Sequence, residues 1–123
     1  MAGTLDQVVL HQVLHWHHFY DRSTSATGLV SDGLFHLFST SMLLIGGRGL
    51  LEACRRVPRP RRRLIGAILV GAGGFNLYDG TVQHKLLRLH QVRYGVDQLP
   101  YDAAFIAVAA LMLAAGLVLY RRG

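Results

Sequence analysis

One pattern, written twice, constrains this chain more than any other feature. Asp6-Gln-Val-Val-Leu-His11-Gln-Val-Leu14-His-Trp-His17 returns as Asp79-Gly-Thr-Val-Gln-His84-Lys-Leu-Leu87-Arg-Leu-His90, with Asp, His, Leu and His each displaced by 73 residues. A second echo sets Ser31-Asp32-Gly-Leu-Phe35 against Tyr101-Asp102-Ala-Ala-Phe105 at a displacement of 70. Self-similarity of this kind fixes an architecture before any local reading does, and in membrane proteins it places the functional site where the halves meet. The expectation is two parallel helical-hairpin repeats within a single domain of residues 1–123. The first covers residues 1–54 and the second residues 64–123, joined by a loop over 55–63.

The apolar runs decide the medium. Leu29 to Leu51 is a 23-residue stretch, long enough at ~1.5 Å per residue to cross a hydrocarbon layer of ~30 Å. Leu64 to Tyr78 is apolar and glycine-rich, and no breaker interrupts it until about Val92; Ala103 to Tyr120 forms a last span. Residues 4–20 read as a helix ending in an aromatic, histidine-rich collar at Trp16, Phe19 and Tyr20, residue types that favour the membrane boundary. A chain that is 51% hydrophobic yet carries a net charge of +6 fits an integral membrane protein with charged loops. Its basic residues cluster between apolar runs, which excludes a nucleic-acid surface. Cys54 is the single cysteine, so an internal disulfide and a Cys-based zinc site are excluded too. The N-terminus has no basic flank, and no cleavable signal is read there.

Orientation follows from the arginines. Arg55, Arg56, Arg59, Arg61, Arg62 and Arg63, with Pro58 and Pro60 among them, mark a cytoplasmic loop, and Arg121 and Arg122 then fall on the same side. All six aspartates and all seven histidines gather in the outer half. At ~100° per residue, His11, His15 and His18 share one helical stripe while Asp6 and His17 share another; His84 joins Arg88 and Gln91, and Asp79 joins His90.

Ionisable groups cost about 2.5–3.5 kcal/mol each in lipid, so they turn inward and mark function. Three readings compete. In the first, His11, His84, His17, His90, His36 and His15 supply ligands to a transition metal, copper above all, with Asp6, Asp79, Asp32 and Asp102 orienting them or relaying protons. Haem b is the other candidate for this reading, with His11 and His84 as axial ligands. A symmetric di-iron site of the bundle type is disfavoured, because His15 is matched by Arg88 and no His-x-x-x-His or Glu-x-x-His pair recurs. In the second reading the histidines are interfacial groups of an accessory structural subunit with no metal of its own, and Asp32 and Asp102 cap helices. In the third, Asp and His form a proton-relay component. No nucleophile or phosphate-loop motif supports an enzyme.

Asp6-x4-His11-Gln12-x-Leu14-x-Trp16-His17-His18, Asp32-Gly33-Leu34-Phe35-His36 and Phe75-Asn76-x2-Asp79-Gly80-x3-His84-x2-Leu87-x2-His90-x-Val92-Arg93 together resemble the bacterial inner-membrane family called domain of unknown function 2243. The resemblance covers nearly the whole chain. It implies a four-helix protein of the bacterial inner membrane and a setting of copper handling, the respiratory chain or oxidase assembly. Family members carry an apolar helix ahead of the first Asp motif, whereas five residues precede Asp6 here. The resulting expectation is an all-α integral membrane bundle of three full transmembrane helices plus a shortened N-terminal helix. An upstream segment, another membrane protein chain or a homo-oligomer would cover its missing inner half, with lipid around the rest.

Overall fold

The computed structural model describes residues 2–123, and every regular element among them is helical. Met1, where the first expected repeat begins, lies outside the described residues. Helix α1 (Ala2–Asp6) runs without a break into a π-helical segment, π1 (Gln7–Val13). A long α2 (Ser25–Cys54) follows, then α3 (Pro60–Tyr78), which runs into a second π-helical segment, π2 (Asp79–Leu86), and finally α4 (Gln98–Arg121). The start signals are local. The Thr24 hydroxyl accepts from the Thr27 N–H at the head of α2, the Asp97 carboxylate accepts from the Leu99 N–H at the head of α4, and Pro60 opens α3 where its missing N–H costs nothing.

Five expectations need correction. The helix expected over residues 4–20 stops at Val13, and the one expected to reach Val92 stops at Leu86. Both end where the chain turns through a left-handed residue, His15 (φ 51°) and Arg88 (φ 50°), so residues 14–24 and 87–97 are irregular collars. Arg61, Arg62 and Arg63 belong to the first turn of α3, which shortens the basic loop to residues 55–59. Two helices, α2 and α4, are long and apolar enough to cross a membrane, where three had been expected. The reason lies in α3: its first four residues are Pro-Arg-Arg-Arg, leaving 15 apolar residues that rise only about 22 Å at ~1.5 Å each. Lastly, Asp32 and Asp102 do not cap helices; they lie within the early turns of α2 and α4, downstream of the caps Thr24 and Asp97.

Packing is uneven. Helices α3 and α4 approach closely through glycines: a Cβ on Gly73 would sit 2.5 Å from the Leu113 amide nitrogen, and one on Gly116 would sit 2.6 Å from that of Val70. Small residues let backbones meet in this way inside membranes. Helix α2 instead stands apart from α3 over much of its length, and a groove of about 650 Å³ lined by Phe38, Met42, Gly46, Ala67 and Phe75 separates them below α1. The burial pattern is inverted relative to a water-soluble bundle. Leu29, Leu37, Leu44 and Leu111 point outward, while the side chains sealed inside are largely His, Asp and Gln. Apolar faces of this extent are stable only against lipid or another apolar surface.

Candidate metal centre

The site begins with the change of helix type. On an α-helix, residues five apart lie roughly 140° from each other, so an Asp-x4-His pair would face different ways. In a helix with i→i+5 hydrogen bonds, the second residue returns beneath the first. The Leu14 N–H donates to the Val9 carbonyl and the Leu87 N–H to the Val82 carbonyl, each five residues back. Asp6 Oδ2 therefore stands 3.2 Å from His11 Nε2, and Asp79 Oδ2 stands 3.0 Å from His84 Nε2. The α-periodicity that sets Asp6 with His17 and Asp79 with His90 holds in both groups, but its separation of His11 and His84 from them does not: Asp6 is also paired with His11, and Asp79 with His84.

The collars bring in two more imidazoles. After the turn at His15, His17 folds back over π1 until its ring lies 4.4 Å from that of His11, centroid to centroid. After Arg88, His90 does the same over π2, 4.6 Å from His84. The two returning rings stack on each other at 4.7 Å with 8° between their planes. Each is held by the opposite collar: His17 Nδ1–H donates to the Val92 carbonyl at 3.1 Å, and His90 Nδ1–H donates to the Phe19 carbonyl at 2.9 Å. The Asp21 N–H donates to the Leu89 carbonyl between the same collars.

These bonds fix the tautomers. With Nδ1 donating to a carbonyl oxygen, the neutral ring presents a bare lone pair at Nε2. His11 is held in the same sense, its Nδ1 donating to Asp32 Oδ1 at 2.8 Å. The Nε2 atoms of His11, His17, His84 and His90 are all buried without a hydrogen-bond partner, as is Nδ1 of His84. Burial, reinforced by the neighbouring His90 and His11, lowers the pKa of His17 to about 3 against the opposing pull of the Val92 carbonyl, so its ring is neutral at physiological pH.

Lone pairs and carboxylate oxygens 3.0–3.8 Å apart repel each other unless a proton or a metal ion lies between them. That spacing suits metal ligation, since bonds of ~2.0–2.1 Å in a tetrahedral arrangement set donors about 3.3 Å apart. Asp6, His11 and His17 form one group and Asp79, His84 and His90 another, with the donor atoms of each lying within 4.8 Å of one another.

The surrounding contacts are unequal. Asp32 is buried and accepts from His11 Nδ1, from His18 Nδ1 at 2.6 Å and from the Phe19 N–H at 2.7 Å. Asp102, its counterpart on α4, is bonded to Lys85 and not to His84. His15 and His36, expected as ligands, fall outside both groups: His15 is exposed on its collar, and His36 lies on α2 away from the other rings. Several contributors were missed. Gln7 and Gln83 are buried with unpartnered amide oxygens, Lys85 neutralises Asp102, and the carbonyls of Phe19 and Val92 hold two imidazoles. The glutamines had a signal, being amides in apolar turns beside the repeated motif; backbone carbonyls have none.

The model of a family described as "Predicted membrane protein (DUF2243)" matches residues 1–123. No curated protein matches the chain, and no solved structure does.

Proposed function

We propose that this chain, which belongs to the DUF2243 family of predicted membrane proteins, is a multi-pass membrane protein that binds a transition-metal ion between its two π-helical segments. The observation that carries this reading is the set of four buried imidazole Nε2 atoms, three of them on rings whose Nδ1 atoms donate to an oxygen, facing two carboxylates. Outer partners that fix a ligand's tautomer are a regular part of metal sites. The donors are all nitrogen and oxygen, which suit copper, zinc and iron. Among divalent first-row ions copper binds such a set most tightly.

Haem fits less well. His17 and His90 occupy the row between His11 and His84, where a porphyrin ligated by those two residues would have to lie. In the membrane, α2 and α4 cross fully, α3 crosses with π2 as its outer end, and α1 with π1 enters from the outer side. The arginine loop and the C-terminus are cytoplasmic, and the His/Asp centre lies near the outer surface, where it serves a respiratory or redox complex or its assembly.

Elemental analysis of the full chain, purified in detergent and washed free of loose ions, tests the reading. At least one copper or zinc per chain is expected, falling by half or more in His11→Ala and His84→Ala and unchanged in His15→Ala. Loss in His15→Ala with retention in the other two would move the site to the surface.

One observation favours a second reading, that of an accessory subunit: the open apolar groove beneath α1, which an apolar helix of a partner chain would cover. A metal-free protein that still co-purifies with a larger membrane complex would select it.

A further inference from the structure

The two His/Asp groups are built alike and separately. Each takes its carboxylate from the α-to-π junction, one imidazole from the π-helical turn five residues on, and one from the collar that folds back. Within each the three donors close to within 4.8 Å, and the six donors fall into two such sets. The sets abut through the stacked His17 and His90, while the crossed pairs are wider, His11 to His90 at 6.2 Å and His17 to His84 at 6.4 Å. A single ion shared by both halves would leave donors of either set unused and their lone pairs uncompensated.

We infer that the centre holds two divalent ions, one in Asp6-His11-His17 and one in Asp79-His84-His90, with a small anion shared between them. This rests on the proposal that the cluster binds metal, and it adds number, assignment and ligand class. Two imidazoles and one carboxylate leave coordination positions open on each ion, as in sites that take an exogenous ligand. The charges point to what fills them. Two dications against two aspartates leave a surplus of two positive charges beside buried rings, and a buried charge of that size is costly unless paired. A hydroxide or another small oxygen- or nitrogen-donor anion, lying between the two sets, offsets one of these charges, the carboxylate of Asp32 behind His11 offsets the other, and the anion completes both coordination shells.

The test uses the full chain in detergent, with cobalt(II) as the metal and azide as the anion. Cobalt bound per chain is counted by elemental analysis after gel filtration, and azide binding is followed in the visible spectrum. Two cobalt ions per chain are expected. The double variant Asp6→Asn/His11→Ala keeps one, Asp79→Asn/His84→Ala keeps the other, and azide affinity falls at least tenfold in both. The ion retained in each variant, with unchanged helical circular dichroism, shows that the fold survives. One ion in the unaltered chain, lost completely in either variant, overturns the two-ion assignment while leaving metal binding intact. Two ions with azide affinity unchanged in the half-site variants overturn the shared anion. No ion under any loading condition overturns both this inference and the proposal beneath it.

Discussion

Asp32 shows how much one buried carboxylate can organise. It accepts from His11, from His18 and from the backbone of Phe19, so it sets the tautomer of one proposed ligand and anchors the collar that carries another. Asp32→Asn keeps the shape and removes the charge, and metal affinity is expected to fall about 10–100-fold, as it does when outer partners of metal ligands are changed. A competition titration with a chelator of known affinity reads this. His17 supplies a second prediction. Its folded pKa of about 3 lies below the ordinary 6.5, so below pH 6.5 the unfolded chain takes up a proton that the folded one refuses. Stability of the metal-free protein therefore declines as pH falls from about 6.5 towards 3, and His17→Gln flattens that slope in thermal unfolding scans. At this scale the sequence was informative about which residues come together, because Asp6, His11, His17 and their counterparts repeat at a constant displacement. Spacing did not show that His15 and His36 fall outside both groups, His15 exposed on its collar and His36 half-buried on α2.

Elements were harder to read than residues. The apolar lengths announce α2 and α4, and the Pro-Arg stretch announces the break before α3. The two π-helical segments carry no compositional mark, so an assumption of 100° per residue put Asp6 and His11 on different faces. The collars escaped notice for a related reason: apolar residues such as Val92 extend past the last helical turn because they pack between the halves. The π-helical register is testable. Inserting one alanine after Val9 sets Asp6 and His11 six residues apart, roughly 120° from each other at α spacing. Metal bound by the first group is expected to disappear while far-ultraviolet helicity stays constant, and retention of that metal would show that the i→i+5 turn is not what brings the pair together. The helix contacts make a separate prediction. Gly73→Ala forces a methyl against the Leu113 backbone and costs about 1–3 kcal/mol, whereas Gly46→Ala meets nothing within 4 Å and stays within about 0.5 kcal/mol. Denaturant titration in micelles compares the two.

For the molecule as a whole, the arrangement is a polar interior wrapped in apolar helices, with the aspartates and histidines concentrated at one end and most of the arginines at the other. Helices α2 and α4 expose leucine, valine and phenylalanine along lengths sufficient to span a bilayer, and the protein is expected to stay in membranes through high-salt and carbonate washes and to leave them only in detergent. Length and hydropathy made that much legible. What they could not convey is that the two halves interlock, His17 reaching for Val92 and His90 for Phe19, because reciprocal contacts 75 and 71 residues apart exist only once the chain has folded. The account stands on those interlocked imidazoles presenting bare nitrogens to a cation. X-ray absorption at the metal edge of the copper-loaded, full-length protein examines this most directly. It should give a first shell of nitrogen and oxygen at about 2.0 Å with the outer-shell scattering of imidazole, both lost in the His11→Ala/His84→Ala variant. A sulfur shell near 2.3 Å, or a spectrum unchanged in that variant, would contradict it.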